Sequence, residues 1–556
     1  MPTENLRSVL IIALCVVGFL LWQAWQKDYA TSPEQALTPD SSIVENSGGG
    51  LGTPEAPQVN TSSAALEAPS IPTEAGGADI VEPGTLPVEG QVRVQTDVFD
   101  IVMTANAIHQ LKLRDYPLTE DSPDIPFPLL NDSMPNIFVA ESLLIGSNNE
   151  PDRNSMFTPR ASTAVLADGK DELVVSFDYR GPEGIEVVKN YHFRRASYQI
   201  KVSYDITNNT GIPWSGRLGG FFRRTQVVDG GGLFRVYTYT GGVVSSPDKP
   251  YEKVDFEDML DAPLSRNVTG GWAAMIQHYF AGAWVPDPSL SAHYVSEALP
   301  SAQYRLGLYY DSVLAPGERK QLGLTAFIGP KIQDSLNAAA PGLERTVDYG
   351  WLFFLAEPMF VVLKWIHGLV HNWGWTIIVF TILLKAAFFW LSATSYKSMA
   401  RMRKLQPRIM ALRDRHKEDK QRMNQEMMKL YKEEKINPLG GCLPILVQIP
   451  FFIALYWVLL ESVELRQSPF IWWITDLAQK DPYYVLPLLM GASMYVQQKL
   501  NPAPPDPMQA KIMMALPFVF TIFFLGFPSG LVLYWFVNNL LSIAQQYVIT
   551  KKIEAE

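Results

Sequence analysis

Residues 374–395, GWTIIVFTILLKAAFFWLSATS, form an apolar run long enough to cross a lipid bilayer, with a single lysine, Lys385, at its middle. Further apolar runs follow at about 441–463, 483–499 and 510–526, and another, about 530–549, comes directly after the turn Phe527-Pro528-Ser529. In hydrocarbon every backbone N–H and C=O must be satisfied within the protein, so runs of this kind form helices. Near the start, Val9 to Trp25 is almost wholly apolar and ends in Trp22 and Trp25, the side chains that favour a membrane interface. No small-x-small cleavage site follows it, and Leu14 before Cys15 is too bulky for a lipoprotein site, so residues 1–27 read as a signal anchor. The expectation is a multi-pass α-helical membrane protein of six spans, the last five forming one core over 373–550.

Charge sets the topology. Residues 1–350 carry 25 Lys and Arg against 42 Asp and Glu, and the remainder carry 21 against 14. The stretch 396–436 holds 13 Lys and Arg and 6 Asp and Glu; Lys499 and Lys511 flank the next basic loop, and the tail 551–556 begins with Lys551 and Lys552. The alternate loop, Glu464 to Asp481, is neutral to acidic. Positive-inside bias therefore places the basic loops and both termini in the cytoplasm. The lack of an internal repeat argues against the inverted-repeat transporters.

Between the anchor and the core lie two contrasting regions. Residues 28–90 are rich in Pro, Gly, Ser, Thr, Ala and Glu, a composition that cannot build a core, and read as a disordered acidic tether. Residues 91–345 carry runs such as VRVQTDVFDIVMT, DELVVSFDYR, YQIKVSYDITN, GLFRVYTYTG and HYFAGAWV, in which β-branched and aromatic residues alternate between turn residues. They predict a large antiparallel β-sandwich, on the outer side because one span precedes it. The two cysteines, Cys15 and Cys442, lie far apart and give no disulfide framework. Residues 346–372 include Glu357, Pro358, Lys364 and His367 and read as an amphipathic helix at the outer interface.

Lys385 is the sharpest chemical feature. A charge at mid-membrane costs several kcal/mol unless it faces water or protein. It can be read as a cation in a wet cavity that attracts acidic groups, as a desolvated neutral base, or as a side chain snorkelling to an interface. Thr381 lies one turn away on the same face. In the basic loop, Met402, Leu405, Ile409 and Leu412, then Met423, Met427 and Leu430, repeat at helical spacing, which predicts a two-helix hairpin over 396–436. Its surplus charge, from Arg401, Arg403, Lys404, Arg408, Arg413, Arg415 and Lys417, suits topology, anionic lipid or ribosomal phosphate; nothing in it reads bases. Asn437-Pro438-Leu439-Gly440-Gly441-Cys442-Leu443-Pro444, with Gln448-Ile449-Pro450 beyond, breaks a helix at a span's entry and implies an irregular inner region. His367 and His371 are four apart, but without an acidic ligand nearby they read as interfacial residues, and the glycines 48–52 match no nucleotide motif. No metal or cofactor is expected, and no enzyme.

The runs NPLGGCLPILVQIPFFIALYWVL, KSMARMRKLQP, SVELRQSPF, DPYYVLPLLMG and FPSGLVLYWFVNN resemble the Oxa/Alb/YidC insertase family over roughly 350–550. The anchor, tether and β region resemble its Gram-negative form by arrangement. The resemblance implies five core helices around a hydrophilic groove that opens to cytoplasm and lipid, and a supersandwich outer domain with no activity of its own. The groove cation is then Lys385, where the family commonly has Arg. Thr381 matches a groove-lining position, and Gln448, beside the broken helix entry, is assigned to the groove with it; Ile449 and Phe452, with Tyr534 and Trp535, contact substrate, Trp535 standing where the family often has Tyr. Implied partners are nascent membrane proteins, the Sec translocon, the ribosome and membrane lipids. A secondary transporter that uses Lys385 for an anionic solute, and an intramembrane hydrolase that uses it as a base, are the competing readings.

Overall fold

The computed structural model describes residues 90–146, 150–226, 238–416, 419–434, 443–501 and 507–555. The anchor 1–27, the tether to residue 89, most of the run 232–241, Lys417 and the motif through Cys442 lie outside the described residues.

The β region is a sandwich of two sheets. One has ten strands and runs from Ser265–Thr269 at one edge to Thr163–Val165 at the other, with Ser122–Leu130 paired to Ala107–Thr119 off its main path. The other has nine, from Glu252–Val254 to Thr158–Pro159. Neighbouring strands are antiparallel except Val92–Gln95 with Thr163–Val165. The alternation read in the sequence is the alternation of burial: Ile185–Arg194 points every second side chain inward. Trp272–Ile276 departs from it, with all five residues buried.

The sheets interlock through rings seated on glycines. A Cβ at Gly220 would stand 2.5 Å from Cδ2 of Trp284 in the opposite sheet, and one at Gly282 would stand 2.6 Å from Cε1 of Phe222. A polar tie crosses the same gap. Lys189, fully buried, donates to the carbonyls of Ala105 and Ser142 and lies 4.9 and 4.7 Å from the ring centres of Tyr191 and Tyr204. The Tyr204 and Ser142 hydroxyls are bonded at 2.8 Å. Burial without a carboxylate partner drives the Lys189 pKa well below its ordinary value.

The helices are α1 (Phe256–Asp261), α2 (Gln333–Ala339), α3 (Phe353–Val370), α4 (Trp373–Ala387), α5 (Phe389–Arg415), α6 (Lys420–Glu433), α7 (Leu443–Glu461), α8 (Val485–Leu500), α9 (Pro507–Phe524) and α10 (Ser529–Ala555). The helix 389–415 runs unbroken into the basic loop and folds back as α6. Leu405 and Ile409 pack there on Met427 and Tyr431, with Met402, Met428 and Leu430 alongside. Arg408 pairs with Glu434 at 2.8 Å, and Lys404 donates to Ile553 O at the end of α10.

Two of the apolar runs have features that their composition does not show. The run 374–395 is not one straight helix: α4 and α5 meet at Phe388 with a bend of 67°. The break has no proline. Instead Gln545 of α10 donates to the carbonyl of Phe389, and the Phe388 ring stands edge-on to Phe451, so neighbouring helices supply the contacts around the bend. Among the described residues, Gly350–Val370 is the single helix long and apolar enough to cross a membrane unbroken, although the sequence reads it as interfacial. Its buried face, Ala356, Met359, Phe360, Leu363 and Ile366, packs towards α4 and α7, and its Lys364 is paired with Asp334 of α2.

Because burial lowers the Lys189 pKa, the unfolded chain binds a proton there that the folded chain lacks at any pH between the depressed native value and about 10.4. The native state therefore gains stability from this residue as pH rises through that window. Lys189→Met removes the donor from two carbonyls and is expected to cost about 1–3 kcal/mol at pH 10. The deficit should shrink at pH 7, as read from melting of the full chain in detergent at both values.

Candidate functional site

The starts of three core helices are gathered by the connector 462–484. Asn372 caps α4 by accepting from Trp375 N at 3.1 Å, and its amide donates to the carbonyls of Pro469 and Phe470. Asp481, almost fully buried, accepts from Trp473 Nε1, Tyr483 N and Leu486 N and so caps α8. The first amides of α10 are met from the same connector: Ser529 N donates to Gln479 O at 2.7 Å and Gly530 N to Leu477 O at 2.9 Å. Three helix starts are thereby tied to one folded loop, which supplies acceptors to some of their orphan N–H groups.

Away from that loop lie the residues singled out in the sequence. Lys385 is 9 % exposed, three residues before the bend, and no hydrogen bond or ion pair holds it among the described residues. Thr381 is buried on the same helix face with its hydroxyl turned back to Ile377 O at 2.6 Å. On α7, Gln448 is half-buried and Ile449 is 37 % exposed. Phe452 is brought to both aromatic candidates of α10: its ring centre is 6.2 Å from Tyr534, stacked, and 4.5 Å from Trp535, edge-on. Trp535 also lies 5.5 Å from Phe524 of α9, and its indole N–H is buried with no partner among the described residues. Thus Phe452, Tyr534 and Trp535 form one aromatic cluster, whereas Lys385 and Thr381 belong to α4. In the hairpin, Arg401, Arg403, Lys404, Arg408 and Arg415 are exposed and Arg413 is half-buried. His367 stacks on Trp373 at 4.1 Å, and His371 is the left-handed cap of α3.

A polar ladder on α10 escaped the reading of the sequence. Asn539, Ser542 and Gln546 are all buried. Asn539 donates to Ser493 Oγ on α8 at 3.1 Å, and Gln546 donates to Asn501 Oδ1 at 3.0 Å and to Leu500 O at 3.2 Å. Ser542 donates to Asn538 O. The signal is present as Asn539, Ser542 and Gln546 spaced three and four apart, one face of a helix, inside a run whose hydropathy marks it as an apolar span.

The family described as the 60Kd inner membrane protein matches residues 365–556, and the YidC periplasmic domain matches residues 91–362. The membrane protein insertase YidC of Thioalkalivibrio sulfidiphilus is 47% identical over 565 residues, covering 99% of each chain. The chain belongs to the YidC family. Its counterpart in Nitrosococcus oceani, of the same name, is 46% identical and covers 100% of each chain. The solved structure described as an active YidC insertase with its first transmembrane domain resolved is 18% identical, with a TM-score of 0.37, over 83% of this chain and 93% of that one. As a YidC-family protein, the chain is an inner-membrane protein with a periplasmic β-sandwich domain followed by a helical region.

The Asn539–Ser493 bond is a polar contact between two membrane helices of this YidC-family fold. A double-mutant cycle with Asn539→Leu and Ser493→Ala, read by unfolding in bicelles, is expected to give a coupling of about 0.6 kcal/mol, the usual size for such bonds. Strict additivity would mean that the bond contributes nothing.

Proposed function

We infer that the chain is a membrane protein insertase, and that nascent membrane-protein segments are its substrates. The observation that carries this reading is the placing of a cation, Lys385, on a membrane helix, 9 % exposed and with no acidic partner among the described residues. A buried ammonium left unpaired is costly and draws an anionic group to itself. Full-length likeness to chains named as insertases supports the same reading.

In the mechanism proposed, a segment meets the basic hairpin 396–436 on the cytoplasmic side, where both termini of the chain also lie. Its acidic or polar flank moves into a hydrophilic groove lined by Lys385, Thr381 and Gln448, which shortens the hydrocarbon path that flank must cross. The apolar part slides along Ile449 and Phe452 of α7 and Tyr534 and Trp535 of α10 into lipid. Transfer of apolar surface drives the step, and the membrane potential assists acidic flanks as they move outward. No nucleotide, metal or covalent chemistry enters this scheme. Six spans, of which 1–27 is the first and 373–550 holds the other five, with 28–90 as tether and 346–372 as an interfacial helix, complete the proposed layout. The Sec translocon and the ribosome are proposed as partners, the latter through phosphate contacts of the hairpin's Arg and Lys residues.

Photocrosslinkers at Thr381, Gln448, Ile449, Phe452, Tyr534 and Trp535 are expected to trap stalled nascent chains more strongly than one at Trp390, which is 80 % exposed and serves as the lipid-facing control. Equal yields would remove the groove from the mechanism. Lys385→Glu should slow insertion of acidic-tailed clients about tenfold, equivalent to about 1.4 kcal/mol, while clients with neutral flanks change little. A uniform loss in reconstituted vesicles would refute attraction by the cation.

A further inference from the structure

The β domain and the outer end of α7 are joined by polar contacts buried at their junction. Lys331 directly follows the strand Arg319–Pro330, and its Nζ lies 3.1 Å from Glu461 Oε2 at the last residue of α7. The two side chains are 1 % and 3 % exposed. The same ammonium donates to Thr346 O at 3.1 Å. Beside it, His278 Nε2 donates to Leu460 O at 2.9 Å, so a side chain from the β domain satisfies a carbonyl that the helix end leaves open. The His278 ring is fixed in turn by stacking on Tyr279 at 3.7 Å. Just beyond the helix, Arg466 donates to Pro117 O and Leu118 O in the hairpin formed by Ala107–Thr119 and Ser122–Leu130, while its guanidinium lies 5.4 and 5.7 Å from the Phe127 and Phe280 rings.

These contacts are confined to one end of α7. From Ala454 to Glu461 the helix is buried at nearly every position, whereas Val447 and Ile449 are 36 % and 37 % exposed. Pro450 stands between the two parts. Its missing N–H and its ring weaken the helix at that point, so the part bearing Ile449 has a natural place to bend. A helix gripped at one end and softened at its middle behaves as a lever with a fixed pivot.

We propose that the periplasmic β domain fixes the outer end of α7, with Lys331, Glu461 and His278 as positioning residues, so that the inner part bearing Ile449 moves about Pro450 from a constant pivot. A buried ion pair adds little to stability against an apolar pair of like volume, but it is directional and tolerates neither partner alone. The expected role is therefore geometric. The proposal rests on the insertase reading for the consequence of that motion, but not for the pivot itself.

The test uses the full chain in lipid nanodiscs, with spin labels at Val447 and at exposed Val174 of the β domain, and the variants Lys331→Glu, Glu461→Lys, their charge-swapped double and the apolar double Lys331→Met/Glu461→Leu. Each single variant should broaden the distance distribution and lower client insertion by roughly fivefold or more, because each sets two like charges against each other in a buried site. The charge-swapped double should restore both readings. The apolar double should melt like the parent yet keep the broad distribution, which separates positioning from stability. Narrow, parent-like distributions in all four variants would overturn the pivot. So would an apolar double that matches the parent in both readings, since packing alone would then suffice. A parent that inserts no client, with the distances responding as expected, would count against the insertase reading and leave the pivot standing.

Discussion

In a hydrocarbon layer a polar group without a partner is expensive, and the arrangement of the core helices follows from how each such group is handled. The amides of Asn539, Gln545 and Gln546 reach an acceptor on another helix or at its end. The helix starts are served by Asn372, Asp481 and the carbonyls of the connector 462–484. These groups hold the bundle together. Lys385 is the contrasting case, buried yet without a partner among the described residues. The satisfied groups account for the architecture; Lys385 and the Trp535 indole N–H are among the buried groups left open beside the proposed groove.

The β domain solves a related problem by different means. Its interior accepts one lysine, Lys189, but strips it of its ordinary basicity and gives it carbonyl acceptors and two tyrosine rings. At the junction with the helices, the ammonium of Lys331 meets a carboxylate instead. Two lysines of one domain thus carry opposite assignments: the first fastens sheet to sheet, the second fastens the domain to its neighbour.

Much of this was legible in the chain. Alternation in 172–180, 199–208 and 280–285 announced strands, and those strands lie in the nine-stranded sheet. Helical spacing at Leu405, Ile409 and Met427 announced the hairpin contact, which Tyr431 also joins. The bend at Phe388 was not legible, because the break carries no proline and its contacts come from Gln545 and Phe451, residues distant in sequence. The ladder Asn539–Ser542–Gln546 was present in the pattern but hidden by the hydropathy of the run around it. The grouping of Phe452, Tyr534 and Trp535 came from the family resemblance rather than from spacing, since α7 and α10 are far apart along the chain. Nor does anything local to Glu461 show that it faces Lys331.

The reciprocal seating of Trp284 on Gly220 and of Phe222 on Gly282 has an evolutionary consequence. Each of the four positions restricts the alphabet available to its opposite number. A lineage that enlarges one glycine must first whittle down the facing ring, and during that passage the sandwich carries a void. Drift at these sites should therefore be slow and paired, so that variation across relatives would preserve the sum of the two volumes while the individual residues change.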